Sequence, residues 1–221
     1  MIELQNFNKS FKNKLIFESI NIQFKSNTFY GIYGPSGSGK TTLLNLISML
    51  DSSYEGNIYI NNQNLKEIKK KQDFRKSTFS FIFSESSLLD YLTVKENILL
   101  PLTFLKKNIP SDFEELAKEL SINELLNRDI STLSEGEKQR VSILRALMSG
   151  QQIIICDEPT SHLDKENSIL IVKTLSKLAK EKEKTVIMSC HDQTLIEYFD
   201  KAYEIKEYHL NEIKQESKDN L

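Results

Sequence analysis

The sequence predicts an α/β fold in which a mainly parallel sheet is interrupted by a helical insertion. Short apolar segments that are typical of strands alternate with helical segments up to about residue 84, and the alternation resumes after residue 150. Apolar strands of this kind are expected where helices cover both faces of a parallel sheet. No Pro- or Gly-rich linker isolates the insertion, about 85–150. We therefore expect one domain over 1–221, with an α/β core formed by 1–84 and 151–221.

The first part of this core consists mainly of predicted strands. Within the first 33 residues, apolar positions alternate or run together in three segments that are separated by polar turns. The strands predicted before the insertion are IELQNF, ESINIQF, TFYGIY, GNIYI and FSFIF. A helical segment, KTTLLNLISML, separates the third of these strands from the fourth.

Three helix starts carry the sequence of a capping box, in which a Ser or Thr and a Glu three residues later satisfy each other's backbone N–H groups. The pairs are Thr93 with Glu96, Ser111 with Glu114 and Ser134 with Glu137. The third helix has apolar residues at helical spacing and ends at a glycine, at position 150. After it we predict the strand that precedes DEPT, a helix over 165–182, the strand TVIMSC, a short helix and the strand AYEIK.

The overall composition excludes several classes of protein. The 29 basic and 31 acidic residues nearly balance, at a net charge of −2, so we expect no nucleic-acid partner. The longest apolar runs fall far short of the roughly 18–20 residues that span a bilayer, and the N-terminal segment lacks the apolar core of a signal peptide. Cys156 and Cys190 form no CxxC motif, which favours a reduced, cytosolic protein.

The segment GPSGSGKT lies between an apolar strand and a helix and matches the phosphate-binding P-loop pattern. Its glycines let backbone N–H groups wrap a polyphosphate, while Lys40 would bridge the β- and γ-phosphates and the Thr41 hydroxyl would ligate Mg²⁺. The alternative is an ordinary Gly/Ser loop, but four of the seven glycines of the chain lie in YGIYGPSGSGK. We therefore predict a P-loop NTPase core. Its nucleotide-binding residues are Gly34, Pro35, Ser36, Gly37, Ser38, Gly39, Lys40, Thr41 and Thr42.

A second chemical signal, IIICDEPT, ends an apolar strand with two carboxylates. Open α/β sheets place their ligand groups at this end of the strands. In an NTPase, Asp157 would hold Mg²⁺ and Glu158 would orient or deprotonate the attacking water. An acidic strand-to-loop junction occurs in many sheets, so this prediction depends on its order after the P-loop. His191, at the end of another apolar strand, is by itself more typical of a structural histidine.

The segment STLSEGEKQR begins a helix in an unusual way. Gly136 lies in the first turn, where alanine would be favoured by about 1 kcal/mol. A helix N-terminus with a glycine at its start commonly offers N–H groups to an anion. Two carboxylates, Glu135 and Glu137, nevertheless flank this glycine.

Five motifs in order, GPSGSGKT, LSEGE, IIICDEPT, SHLD and SCHD, resemble those of the ATP-binding cassette (ABC) ATPases over essentially the whole chain. The segment SSLLDYLTVKENILLPL is similar to the subgroup that includes lipoprotein-release, macrolide-export and peptide- or bacteriocin-export ATPases. The resemblance implies an N-terminal antiparallel β subdomain and places the signature motif, LSEGE, in the helical insertion. It also implies hydrolysis of ATP to ADP and phosphate, coupled to transport, with ATP and Mg²⁺ as cofactors.

The resemblance further implies a head-to-tail dimer, in which the signature motif closes over the γ-phosphate bound by a second copy or a related cassette. The contacts would come from Ser134, Gly136 and Glu137, where Glu137 stands in place of the family's glutamine. Glu135 replaces the first glycine of the motif. Because a carboxylate aimed at a triphosphate is repelled by several kcal/mol, we predict that Glu135 turns toward solvent or a basic neighbour.

Other roles follow from the same resemblance. His191 matches the switch histidine that contacts the γ-phosphate, and it completes a catalytic set with Lys40 and Glu158. Phe11 matches the aromatic residue that stacks on adenine. The SHLD segment matches the D-loop, which communicates across the dimer, and we expect its His162 to face solvent.

Ser84 occupies the position of the family's Q-loop glutamine, which reaches Mg²⁺ and the attacking water. We therefore predict three metal-binding residues, Thr41, Asp157 and Ser84, with Ser84 acting through a bridging water because it is shorter than glutamine by about two heavy atoms. The neighbouring Glu85 is a candidate substitute, although an extra acid beside Glu158 would raise one pKa of that pair. Hydrolysis is accordingly expected to be slow or tightly gated.

The leading interpretation is the ATPase subunit of a membrane exporter or extractor. A separate permease would dock between Ser84 and Leu92 and hold the protein at the cytoplasmic face of the cell membrane.

The alternatives are a non-transport cassette coupled to a membrane protein, as in cell division, and a degenerate cassette with weak hydrolysis. A DNA-repair cassette is disfavoured because no heptads separate the P-loop from the signature motif, and a GTPase because no N-K-x-D motif is present. Substrate, direction and the choice between homodimer and heterodimer stay open.

Overall fold

The strands of the chain form two sheets. The structure is a computed structural model that describes residues 1–12 and 14–214, so the last seven residues of the predicted domain lie outside the described part. The strands within that part are β1 (Ile2–Phe11), β2 (Lys14–Phe24), β3 (Phe29–Tyr33), β4 (Glu55–Ile60), β5 (Gln63–Asn64), β6 (Phe79–Phe83), β7 (Ile153–Asp157), β8 (Thr185–Cys190), β9 (Lys201–Lys206) and β10 (His209–Ile213). An antiparallel N-terminal sheet has the order β2-β1-β4-β5, as the predicted β subdomain requires.

The central sheet has the order β10-β9-β3-β8-β7-β6. Its strands are parallel except for β10, which forms an antiparallel hairpin with β9. Because β3, β6, β7 and β8 are parallel, their carboxyl ends meet at one edge of the sheet. Each predicted motif that follows one of these strands, from the phosphate loop to His191, is therefore delivered to that edge.

The α-helices of the described residues are α1 (Lys40–Ile47), α2 (Lys71–Thr78), α3 (Val94–Leu105), α4 (Phe113–Glu119), α5 (Glu135–Met148) and α6 (Lys165–Glu181). The short helix predicted after β8 is a 3-10 helix, Gln193–Tyr198. In the insertion, α3 packs along α5, and α5 also contacts β6. In this part of the chain no helix combines the length and the hydrophobicity that crossing a bilayer requires.

Both faces of the central sheet are buried, as the apolar strands predict. Along β7, Ile154 and Cys156 pack into a cluster with residues of α3, α5 and α6. The alternate residues, Ile153 and Ile155, pack into a second cluster with the N-terminal sheet and α1. This alternation follows from the two-residue period of a strand, and it confirms the predicted α/β class.

Several local predictions need correction. The capping boxes that begin α3 and α5 are confirmed, but the one predicted from Ser111 and Glu114 is wrong. The Phe113 N–H bonds the Pro110 carbonyl at 3.1 Å in a preceding turn, and α4 then begins at Phe113 without a side-chain cap.

Two other helices also differ from the prediction. The first helix, α1, stops at Ile47 rather than at residue 50. The helix α2 was missed because none of its residues is buried, so its sequence lacks apolar periodicity.

The segment 84–93, which leads from the central sheet into α3, is held by a buried amide. Asn97 is fully buried, and its side-chain oxygen accepts a hydrogen bond from the Leu89 N–H at 2.8 Å. Its amide nitrogen donates to the main-chain carbonyls of Leu89, Leu92 and Thr93. One side chain thus satisfies backbone groups that belong to neither a helix nor a strand.

We expect Asn97→Ala to lower the free energy of unfolding by about 1–3 kcal/mol, because the partly buried Leu89 N–H and Leu92 carbonyl lose their hydrogen bonds to this side chain. Urea denaturation followed by circular dichroism measures this change. The matched control is Asn108→Ala at an exposed position, for which we expect a change within about 0.5 kcal/mol. Equal stabilities of the two variants would contradict the assigned role of Asn97.

Candidate active site

The loop between β3 and α1 is shaped by glycine. Gly37 and Gly39 have φ angles of +78° and +107°, in the left-handed region that other residues rarely adopt. A Cβ atom on Gly39 would lie 2.8 Å from Ile16 Cγ2 and 3.0 Å from Phe17 Cζ. The loop therefore lies directly against β2, and the first N–H groups of α1 are left without intrahelical acceptors, as in an anion-binding helix start.

Ser38 shows that this loop fits a polar ligand. Its hydroxyl oxygen is buried and has no hydrogen-bond partner among the described residues. It lies against Gly34, where an added Cβ atom would be 2.7 Å from it. Unpaired buried hydroxyls are unfavourable, so a ligand with acceptor oxygens would satisfy a group that the chain itself leaves unpaired.

Lys40 supplies a buried positive charge. Its side chain is 3% exposed, and Nζ donates to the carbonyls of Gly34 and Pro35 at 2.8 and 3.1 Å. Nζ also lies 3.0 Å from Glu158 Oε1. The ammonium thus joins the phosphate loop to the carboxylate that follows β7.

A second set of oxygen atoms gathers around Asp157. Thr41 Oγ1 lies 3.1 Å from Asp157 Oδ1, and Ser189 Oγ donates to the same Oδ1 at 2.7 Å. Ser189 Oγ also accepts the Glu158 N–H at 2.8 Å. Hydroxyl and carboxylate oxygens are the donors that suit Mg²⁺, which takes its other ligands from water and substrate phosphates. The Thr41–Asp157 pair therefore fits this ion.

Sequence reasoning missed Ser189. The residue is fully buried in β8, beside the end of β7, and it orients both carboxylate residues. A polar residue inside the apolar run VIMSC was the available signal, but its partner could not be known without the register between β7 and β8.

Glu158 lies between two basic side chains. Besides its contact with Lys40, its Oε2 is 3.5 Å from His191 Nδ1, and the His191 side chain is 54% exposed. The backbone of Glu158 is left-handed, with a φ of +45°, which costs a non-glycine residue roughly 1–3 kcal/mol. Such strained residues cluster at active sites, where the neighbouring structure holds them in place.

Several of these groups line an open cleft of about 350 Å³, but Ser38, Ser189 and His191 do not. Its walls contain nine of the predicted site residues: Ser36, Gly37, Gly39, Lys40, Thr41, Thr42, Ser84, Asp157 and Glu158. Ile16 forms an apolar wall that was not predicted. Phe11, at the end of β1, is 64% exposed and does not line this cleft.

The predicted signature residues lie elsewhere, at the start of α5. Ser134 Oγ accepts the Glu137 N–H, and Glu137 Oε2 accepts the Ser134 N–H at 2.8 Å. This second bond holds the pKa of Glu137 below its usual value. Gly136 is buried, and a Cβ atom there would lie 3.3 Å from Asn167 Oδ1 at the start of α6. None of these residues lines the cleft around Lys40.

The two orientation predictions at this surface are confirmed. Glu135 Oε1 pairs with Lys138 Nζ at 2.8 Å, which is the basic neighbour that was expected. His162 is exposed.

The sequence profile of the ABC transporter family matches residues 17–161. The chain belongs to the ABC transporter family. It is 38% identical to the bacitracin export ATP-binding protein BceA of Halalkalibacterium halodurans, over 94% of this chain and 85% of that protein. It is 34% identical to the macrolide export ATP-binding/permease protein MacB of Campylobacter fetus, over 94% of this chain and 34% of that protein.

The same relationship is visible in three dimensions. The structure matches the ATP-binding cassette MJ0796 of Methanocaldococcus jannaschii, solved as a post-hydrolysis dimer bound to ADP and Pi. The TM-score is 0.83 at 32% identity, and the match covers 98% of this chain and all of MJ0796. The predicted family, fold and ATPase activity are thereby confirmed, and the chain is an ABC ATPase.

We predict that Ser189→Ala lowers the turnover of ATP by about 10–100-fold, because the residues beside a metal ligand commonly have effects of this size. ATP affinity measured without Mg²⁺ should stay close to that of the wild type. The matched control is Ser142→Ala, which removes a fully buried serine hydroxyl of α5 that has no hydrogen-bond partner among the described residues. Wild-type turnover in the Ser189 variant would show that the hydroxyl does not orient the carboxylates.

Proposed function

We propose that this ABC ATPase powers a membrane exporter by pairing head to tail with a second copy, or with a related cassette, around ATP. The observation that carries the proposal is the edge of the sheet at which Lys40 and His191 both contact Glu158, beside the Thr41–Asp157 pair. Relatives that are named for bacitracin and macrolide export support the export direction. A permease on a separate polypeptide is supported by BceA, an ATP-binding protein of similar length.

Within one cleft, the phosphate loop and the first N–H groups of α1 would bind the triphosphate, and Lys40 would contact its β- and γ-phosphates. Glu158 would accept a proton from the water that attacks the γ-phosphorus, as the bond from that phosphorus to the bridging oxygen of ADP breaks. His191 would contact the γ-phosphate from the other side of Glu158. When bound by Thr41, Asp157 and, through water, Ser84, Mg²⁺ neutralises the negative charge of the phosphates.

The separation of the two halves of the predicted site supports a dimer. Ser134, Gly136 and Glu137 lie at the start of α5 and do not line the cleft of their own chain. We infer that they complete the cleft of a second subunit, and that the exposed Phe11 provides an adenine-stacking surface. The dimeric MJ0796 structure, with ADP and Pi bound, supports this arrangement.

The permease would dock beside the segment between Ser84 and Leu92, which would place the protein at the cytoplasmic face of the membrane. Tyr91 is 81% exposed and Phe83 is 37% exposed. An adjoining groove of about 560 Å³ between β6 and the end of α3 offers an apolar surface, to which Phe79, Phe81, Pro101, Phe104 and Leu105 contribute. Exposed apolar surface of this kind is typical of a protein-protein interface.

The two alternatives are less well supported. A non-transport cassette of the cell-division type has no counterpart among the exporter relatives described above. A degenerate cassette is disfavoured because Lys40, Asp157, Glu158 and His191 are all present and brought together.

The pairing is tested with Glu158→Gln, which should bind ATP without hydrolysing it. We expect light scattering to show a monomer without nucleotide and a dimer with ATP, because the trapped γ-phosphate can be held by both subunits. A dimer would also show that Glu135 does not prevent closure.

The control for this experiment is the double variant Lys40→Ala, Glu158→Gln, which loses the buried cation and should stay monomeric with ATP. Thermal unfolding confirms that each variant is folded. If Glu158→Gln binds ATP but remains a monomer, the homodimer is refuted, and closure requires the permease or a different cassette.

The effect of Ser84 is tested by restoring the glutamine of the family. We expect Ser84→Gln to raise the turnover of ATP several-fold, because the longer amide reaches the metal and the attacking water without a bridging water. Ser84→Ala, which cannot hydrogen-bond, should not exceed the wild type. A turnover that does not rise in Ser84→Gln would refute the idea that Ser84 limits hydrolysis.

A further inference from the structure

We propose that Arg145 and Gln139 of α5 are positioning residues for hydrolysis, because they fix the chain on both sides of Ser84. Neither residue touches the cleft. They act on Ser84 through the main chain, so this inference rests on the role given to Ser84 in the proposed function.

Arg145 holds the chain immediately after Ser84. Its Nη1 donates to the Ser87 carbonyl at 2.8 Å and its Nη2 to the Ser86 carbonyl at 2.7 Å. The guanidinium is half-buried, and this burial lowers the pKa of Arg145. A desolvated cation is unfavourable unless its N–H groups are paired, so these carbonyls are tightly constrained in position.

Gln139 holds the chain immediately before Ser84. It is 3% exposed, and its Nε2 donates to the Phe83 carbonyl at 3.1 Å, at the last residue of β6. Gln139 and Arg145 lie on the same helix, less than two turns apart. Side chains of α5 therefore hydrogen-bond the main-chain carbonyls of residues 83, 86 and 87. Ser84 lies between these contacts.

The segment 84–87, which α5 holds in this way, has little regular structure of its own. Ser87 has a left-handed backbone, with a φ of +48°, and its hydroxyl bonds the Glu85 carbonyl. The residues that follow are held by Asn97 of α3, which packs along α5. The segment is thus attached to the helices of the insertion as well as to the end of β6.

This attachment gives α5 two functions at once. Its first turn carries Ser134 and Glu137, which we assigned to the nucleotide of a second subunit. Its middle carries Gln139 and Arg145, which set the position of Ser84 at the cleft of its own subunit. Because a helix is rigid over these lengths, any shift of its first turn toward a nucleotide must also displace Ser84.

The test is Arg145→Lys, which keeps the charge but loses the planar fork that reaches two carbonyls. We expect kcat for ATP to fall by about 10-fold or more, because a 1 Å misplacement of a group at the reacting centre can lower the rate by more than this. We expect KM to stay within about 2-fold. The matched control is Arg75→Lys, which also removes a half-buried guanidinium bonded to a main-chain carbonyl, that of Met49. We expect its kcat to equal that of the wild type.

A spin label reports the position of the segment directly. The two cysteines of the chain are both buried, so a nitroxide will attach selectively to Ser87→Cys. Electron paramagnetic resonance should show a more mobile label in Arg145→Lys and an unchanged label in Arg75→Lys. A loss of kcat with a mobile label and an unchanged melting temperature supports the proposal. An unchanged kcat overturns it, as does a fall in kcat that Arg75→Lys shares.

The same assay separates this inference from the proposed function. If Glu158→Gln abolishes turnover and Arg145→Lys does not alter it, the positioning role alone fails. If the wild type shows no turnover that depends on Glu158, the proposed hydrolysis mechanism fails. In that case the label still decides whether Arg145 holds the segment: equal mobility with and without the guanidinium refutes it.

Discussion

The buried ammonium of Lys40 is the constraint on which the catalytic edge of this protein depends. A cation with so little solvent needs an acceptor for each of its N–H groups. Two acceptors are carbonyls of its own loop, from Gly34 and Pro35, and the third is the carboxylate of Glu158. The loop after β3 and the end of β7 must therefore lie within one side-chain length of each other. A parallel sheet with aligned carboxyl ends provides this proximity.

The strand β8, which lies between β3 and β7, fixes the two acidic residues at the end of β7. Because β8 lies beside β7 in the sheet, Ser189 is next to the end of β7 and bonds both the Asp157 carboxylate and the Glu158 N–H. The left-handed backbone of Glu158 is tolerated because that N–H and both carboxylate oxygens have partners. The strain of one residue is thus offset by contacts from the phosphate loop, from β8 and from His191.

The sequence allowed much of this edge to be predicted, because the relevant information is local. Apolar strands followed by glycine or by carboxylates indicate where β3 and β7 end, and two of the three predicted capping boxes are present. What could not be predicted depends on partners distant in the chain. Ser189 becomes meaningful only through the register of β8 against β7, and Arg145 only once α5 lies beside residues 86 and 87. The amphipathic signal also failed for α2, whose residues are all at least partly exposed.

In the proposed mechanism, the pairing of Glu158 links ATP binding to the chemistry. The Glu158 carboxylate is the counter-charge of the buried Lys40 ammonium. The phosphates of ATP carry more negative charge than one carboxylate and compete for the same ammonium. In the mechanism that we propose, Lys40 would turn to the phosphates and Glu158 would keep its contact with the exposed His191. The proposed base would thus be released from Lys40 in the same event that brings the substrate. In the same proposal a second subunit would position the γ-phosphate through α5, which carries Ser134 at one end and hydrogen-bonds the chain around Ser84 further along.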